Sequence, residues 1–315
     1  MRTSSLLLLA SLSLAGCQCG ADTPPADTGV VDAPPDDPPR LSPPRVLRSE
    51  GDAAVASVAI GPEAASLVAA GWDKAVVLFD VASETGRVVH RIGDGDVFQE
   101  GAAAWRGARF VIGTFSATLV FAEDGSLIRE IADTGYDVGL SEDGAIVYRL
   151  GRDELVAHSV ADGSTTARAA VQGAGSMVVG ADAVWVARTT DAGEYEVVTL
   201  DGATLAERSR VPAFGAQIDG DERGLAMFNL SRAEVGADPS DLSPLVTEGI
   251  TDLDGFALEG GLVVASGFSE GVFLFDARTG ARLDAAESAN ASGIDLRART
   301  AAIGRQEGVL MFAIE

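Results

Sequence analysis

The chain is poor in the residues on which covalent stapling and much small-molecule chemistry depend. It holds 2 Cys and 2 His in 315 residues. Two cysteines cannot build a disulfide framework, and two histidines leave little for His-based catalysis or a His-rich metal site. Positive charge is scarce as well: 23 Lys+Arg face 47 Asp+Glu, a formal charge of -24. A surface this acidic repels a phosphate backbone, which argues against nucleic acid as a partner. Aromatics are 6% of the residues. There is no amphipathic helix of useful length, and no apolar run reaches the ~20 residues of a membrane span. What is abundant is aliphatic and glycine-rich. Hydrophobic residues make up 47% and there are 37 Gly. That is enough apolar material for a large core, and it excludes disorder throughout.

The N-terminus reads MRTSSLLLLASLSLAGC. Arg2 precedes an apolar run from Leu6 to Leu14, followed by Ala15-Gly16-Cys17. A run this short fits a secretory h-region. Leu14-Ala15-Gly16-Cys17 resembles the lipobox of bacterial lipoproteins. That resemblance implies a signal peptide over residues 1–16, cleavage before Cys17, and acylation of Cys17. Several acyl chains on one residue anchor stably where one chain does not. The alternative is an ordinary cleaved signal with an incidental Cys. By the same resemblance, Gln18 in place of Asp implies the outer membrane, with the periplasmic or surface face left open. Cys19 then has no partner cysteine in the chain.

Residues 17–44 form the next segment. Pro24, Pro25, Pro34, Pro35, Pro38, Pro39, Pro43 and Pro44 alternate with Asp22, Asp27, Asp32, Asp36 and Asp37. Such a composition buries no core and predicts an extended, self-repelling tether. At 3.1 Å per residue it reaches on the order of 80 Å. From Arg45 to Glu315 the texture is uniform: short apolar stretches broken by Gly, Asp and Ser turns, the pattern of an all-β domain.

That domain repeats. Strand–turn–strand units recur as LFDVASETGRVVHRI, VFAEDGSLIREI, HSVADGSTTARAAV, TLDGATLAERSRV and LFDARTGARLDAA. Their turn glycines are Gly86, Gly125, Gly163, Gly202 and Gly280. The spacing is close to 39 residues, with one double interval that places a degenerate unit near Asp241. Glycine suits these turns if they need φ > 0. A period near 40 with several short strands per unit predicts a β-propeller of four-stranded blades. Seven blades are expected. The last unit lacks its outer strand, and the segment Pro44–Glu50 can supply it, closing the ring and removing a free edge.

The units over residues 45–315 resemble bacterial propellers of the WD-repeat-like, YVTN and quinoprotein-like groups. FDARTG (275–280) and FDVASETG (79–86) are similar to the strand–Asp–x–x–Thr–Gly turn of quinoprotein-like repeats. The Trp that follows that turn in the family is absent here, and no Trp-Asp recurs at the repeat period as the signature of WD repeats does.

No catalytic constellation emerges, and no cofactor or metal site is expected. Gly267-Phe268-Ser269-Glu270-Gly271 matches G-x-S-x-G, but it falls in a β-hairpin turn with no His after His158, whereas the hydrolase elbow needs strand–turn–helix and a later His. His90 and His158 fall in separate strands. Asp-rich turns at 93–96, 219–222 and 252–255 could offer oxygens to Ca²⁺ but lack the full EF-hand pattern, so solvated turns are the plainer reading. One pattern remains. The hairpins joining second and third strands carry Trp72, Phe115, Arg152, Arg188, Arg232, Phe268 and Arg305. Aromatics and arginines are the usual anchors of interfaces. They are read as a rim that binds a protein loop or an anion; the competing reading has the arginines neutralising neighbouring acids. The expectation is a monomeric, membrane-anchored, non-enzymatic scaffold or adaptor for an envelope protein. The alternative is an envelope enzyme or sensor binding a small sugar or anionic ligand at the central pocket.

Overall fold

The computed structural model describes residues 38–48, 54–133, 135–215, 217–221, 224–229, 231–267, 271–287, 293–306 and 308–315. Cys17, the signal peptide, most of the tether and Phe268 lie outside the described residues. So does Ser269 of the G-x-S-x-G match. The described residues fall in one compact unit, Pro38–Glu315.

The chain opens with β1 (Arg45–Leu47) and then builds antiparallel four-stranded blades in sequence order. Blade 1 is β2 (Val55–Ile60), β3 (Ser66–Gly71), β4 (Ala75–Asp80) and β5 (Thr85–Arg91). Blade 2 is β6 (Phe98–Arg106), β7 (Arg109–Thr114), β8 (Thr118–Ala122) and β9 (Leu127–Ile131). Blade 3 is β10 (Asp137–Leu140), β11 (Ile146–Leu150), β12 (Glu154–Ser159) and β13 (Thr165–Ala170). Blade 4 is β14 (Ala174–Val179), β15 (Ala183–Thr189), β16 (Tyr195–Asp201) and β17 (Glu207–Ala213). Blade 5 is β18 (Gln217–Asp221), β19 (Gly224–Asn229), β20 (Arg232–Gly236) and β21 (Ser243–Pro244). Blade 6 is β22 (Leu253–Glu259), β23 (Leu262–Gly267), β24 (Gly271–Asp276) and β25 (Arg282–Ala286). Blade 7 is β26 (Ile294–Arg297), β27 (Thr300–Arg305) and β28 (Gly308–Ala313), with β1 as its outer strand. The fold is the expected seven-bladed, all-β propeller.

Ring closure follows the sequence argument. β1 pairs antiparallel with β28 through Arg45↔Met311, Val46↔Leu310 and Leu47↔Val309. Pairing begins ahead of Arg45. Leu41 bridges Ile314, and Arg40 and Glu315 exchange backbone hydrogen bonds of 3.1 and 2.9 Å. The last residues of the proline-rich segment therefore lie along blade 7.

The strand sequences state which surfaces they bury. Middle strands such as β28 (GVLMFA) and β4 (AVVLFD) are apolar almost throughout, because both of their faces pack against neighbouring blades. Outer strands such as β17 (ERSRVPA) are exposed and charged, which blunts their free edges. The core is divided in seven, one apolar cluster between each pair of successive blades. Leu47 of β1 is buried with Val309 and Met311 of blade 7 and Val58 and Phe79 of blade 1, so the closing strand belongs to the core.

The repeated turn takes two forms. In one, Asp80, Asp201 and Asp276 use Oδ1 to accept the backbone N–H three residues on, at Ser83, Thr204 and Thr279. The left-handed residue comes next: Glu84 (φ 56), Leu205 (φ 55) and Gly280 (φ 71). In the other, Asp124 and Asp162 accept from Ser126 and Ser164 two residues on, and the left-handed residue is Gly125 or Gly163. Gly86 and Gly202 therefore do not supply the positive φ expected of them. Gly86 is glycine for room: a Cβ there would lie 2.6 Å from the Phe79 ring. The degenerate fifth unit keeps only the hydrogen bond of the second form, Asp238 Oδ1 accepting from Ser240, with Pro239 where the left-handed glycine would be, and its outer strand β21 is two residues ending in Pro244.

Candidate functional site

In each blade the first strand lies innermost, and the seven inner strands contact one another around the ring. They surround two adjoining cavities of about 370 and 380 Å³ that share Glu100, Gly101, Arg106, Asp219 and Asp254 in their walls. This is the central channel, and its charged lining is acidic apart from Arg106.

Side chains clasp one inner strand to the next. Asp137 accepts Met177 N–H (2.9 Å), Asp219 accepts Phe256 N–H (3.1 Å) and Asp295 accepts Ile60 N–H (2.6 Å), each through Oδ2. Their Oδ1 atoms accept the N–H of the following residue. Serine does related work elsewhere: Ser57 Oγ donates to Gln99 O at 2.6 Å, and Ser176 Oγ accepts Ile218 N–H at 2.7 Å. These aspartates keep partial exposure toward the channel while their carboxyls are enclosed. Burial pushes Asp137 up to about 7 and Asp219 up to about 8, against the opposing pull of the backbone donors, and raises Asp295 as well. Asp219, expected in a solvated turn, thus sits in strand β18 as a structural clasp.

Glu100 and Asp254 stand more openly, Glu100 in β6 and Asp254 near the start of β22. Partial burial and then the charge of Asp254 raise Glu100; partial burial and then Asp252 raise Asp254. Mutually repelling carboxylates at this position favour a cation over an anion. Among the described residues, no three acidic, His or Cys side chains converge as a metal site.

The rim residues lie in or beside the hairpins that join second and third strands, on one face of the ring, but they are not equivalent. Trp72 (55% exposed) and Phe115 (63%) project from adjacent blades. Arg152 is exposed in the β11–β12 turn. Arg188 is largely buried in an ion pair with Glu196 at 2.5 Å. Arg232 pairs with Glu234 and lies over the Phe214 ring at 4.2 Å. Arg305 is partly buried at the end of β27. Neutralisation of neighbouring acids therefore accounts for Arg188 and Arg232.

Arg149, which no sequence motif marks, and His158, read there only as a strand residue, form a buried polar knot between blades 2 and 3. Arg149 is 1% exposed; its Nη2 donates to Thr114 O (2.6 Å) and Gly135 O (2.5 Å). Burial lowers its pKa, against the charges of Asp133, Asp137 and Asp96. His158, also buried, meets Asp133 Oδ2 through Nε2 at 2.9 Å. His90 lies on the outer strand β5, edge-on to Phe121 at 5.8 Å. No family model matches the chain, and no curated protein matches its sequence.

Proposed function

We propose that the protein is a lipid-anchored β-propeller of the bacterial envelope, held through Cys17, that acts as a non-enzymatic adaptor for another protein. The carrying observation is directional. β1 takes the outer place of blade 7 and runs antiparallel to β28, so residues 38–44 approach the ring on the face of the third-to-fourth-strand turns. Trp72 and Phe115 project from the opposite face. A tether attached on one face leaves the other free to meet a partner, and exposed aromatics on a rigid ring are suited to that contact. The acidic channel wall opposes an anionic ligand at the centre.

The chain contains a single lysine, Lys74, two residues from Trp72. If Cys17 is N-acylated, an amine-reactive crosslinker applied to cells acts on this protein through Lys74 alone. The reading expects one envelope protein captured in near-stoichiometric yield, with capture lost in Trp72→Ala/Phe115→Ala. It also expects Cys17→Ser to release the chain from the membrane fraction. A Cys17→Ser chain that stays in the membrane refutes the anchor. Capture indifferent to Trp72 and Phe115, or no capture above background, refutes the adaptor.

A further inference from the structure

The two most exposed aromatics stand on a braced ledge. Trp72 N–H donates to Ala54 O and Phe115 N–H to Val97 O, both at 2.8 Å, tying each hairpin to the chain entering an inner strand. The linker between blades 1 and 2 is pinned from both sides. Lys74 Nζ bonds to the carbonyls of Gly93 and Asp94, while Ser116 donates to Asp96 through Oγ at 2.6 Å and N–H at 3.2 Å. Val97, 42% exposed, lies on this linker beside Phe115. The apolar side chains are therefore held by a hydrogen-bonded frame that limits their freedom to fold back on the protein. Pre-ordered aromatics lose little entropy on binding.

Cations frame the ledge, with Arg91 Nη1 on the Asp73 carbonyl and Arg152 and Arg305 on the flanking hairpins, but the channel mouth beside it is negative. Asp94, fully exposed on the linker, is paired with Lys74 at 3.6 Å and adds no net charge. Glu100 follows Val97 by three residues, about 10 Å of strand, at the channel wall with Asp254 beyond it. The one lysine of the region is occupied by linker carbonyls. A second copy of a chain of charge -24 is disfavoured as the occupant by like-charge repulsion.

Resting on the adaptor reading, we infer that the partner presents a basic loop: an apolar side chain that packs against Trp72, Val97 and Phe115, next to a lysine or arginine that reaches Glu100 and Asp254. The aromatics supply contact area and the carboxylates supply selection and steering. A cation also relieves the repulsion between the two carboxylates, so this contact gains more than a surface charge pair in open water.

The test is panning of a displayed random-dodecapeptide library against the full-length protein in detergent micelles, with binding of the selected peptides measured by fluorescence anisotropy. The inference expects enriched peptides carrying Lys or Arg beside an aromatic or large aliphatic residue. Their affinity should fall about tenfold or more in Glu100→Gln/Asp254→Asn and in Trp72→Ala/Phe115→Ala. It should change less than about twofold in Glu123→Gln/Glu142→Gln, which removes the same charge from turns on the opposite face. Enriched peptides that need Trp72 and Phe115 but carry no basic residue overturn the inference and leave the adaptor reading standing. So does equal weakening by the opposite-face pair, which marks non-specific attraction. Peptides indifferent to both face variants, or no enrichment, overturn the inference and count against the adaptor reading as well. Circular dichroism melts of each variant confirm that the ring is intact.

Discussion

The inner-strand clasp predicts an unusual dependence of stability on pH. Asp137 starts from an ordinary value of 3.8 and is held at about 7 in the folded ring, chiefly by burial. A carboxyl whose folded pKa is raised binds its proton more tightly in the native state. Its contribution is therefore fully present below about pH 4 and is lost as pH rises through 7. Asp219, at about 8, acts in the same direction over a slightly higher range. The carboxyls are enclosed but lie in the wall of an open channel, whose water lowers the effective linkage energy, and about 2 kcal/mol per residue is a reasonable scale. Surface turn aspartates act oppositely. Asp80, Asp124, Asp162 and Asp276 are held below the usual range by hydrogen bonds from Ser or Thr, and their contribution disappears as pH falls below about 4. Stability should therefore peak between about pH 4 and 6 and decline toward pH 8.

Asp137→Asn isolates the buried term. The amide oxygen can accept one of the N–H groups of Val138 and Met177, and its NH₂ group faces the other. At pH 5 the variant should lose about 1–3 kcal/mol, the cost of an unsatisfied buried donor. At pH 8 the wild type has lost its own proton-linked stability, so the gap should narrow by about 2 kcal/mol. Urea denaturation followed by tryptophan fluorescence at pH 5, 6, 7 and 8 measures this double difference. Repetition in 0.5 M NaCl screens the repulsion among surface carboxylates and spares the buried group. Parallel pH profiles for wild type and Asp137→Asn would refute the reasoning, whatever the slope of either.

Three further substitutions probe other parts of the ring. Arg149→Met leaves the Thr114 and Gly135 carbonyls without their buried donor and should cost about 2–4 kcal/mol by urea denaturation; a loss under about 1 kcal/mol would show that the knot is dispensable. Leu47→Ala opens the first blade interface and should cost about 2–4 kcal/mol, as for a core leucine, whereas a merely appended strand would lose far less. Gly280→Ala places a Cβ 2.1 Å from Pro244 O at φ 71 and should lower the melting temperature sharply, while Glu84→Gly at the matching turn position should leave it unchanged or raise it, the lost exposed pair with Arg45 being worth little.

The ring was legible in the sequence because each outer hairpin carries a local physical signal. An aspartate that accepts hydrogen bonds from a Ser or Thr two or three residues on needs no tertiary context, so it recurs at the blade period. The degenerate unit was placed near Asp241 by spacing alone, and its Asp238–Ser240 turn confirms that logic. The Gly reading failed where it relied on composition: Glu84 and Leu205 take the left-handed conformation because the aspartate bond fixes the turn, so Gly86 and Gly202 were freed for packing. The clasp was invisible for a different reason. Asp219 reads as a turn residue and Asp137 and Asp295 carry no signal in sequence, and only pairing between successive blades brings an N–H to each. The same holds for Arg188 and Arg232, whose partners Glu196 and Glu234 decide whether they are rim or scaffold.

Strand parity ties the fold to the proposed role. In a blade of four antiparallel strands, the second-to-third hairpin and the third-to-fourth turn must lie on opposite faces. When a strand from the N-terminal side fills the fourth place, it has to run from the turn face toward the hairpin face. The chain before β1 therefore approaches on the turn face, and the Leu41–Ile314 bridge lies there. A closing strand drawn from the other end of the domain would instead lie innermost or leave the N-terminal segment at the channel. Closing with β1 thus does two things at once: it buries Leu47 in the core and brings residues 38–44 in on the face opposite Trp72 and Phe115. The placement of three residues, Arg45–Leu47, is what fixes the face on which residues 38–44 reach the ring.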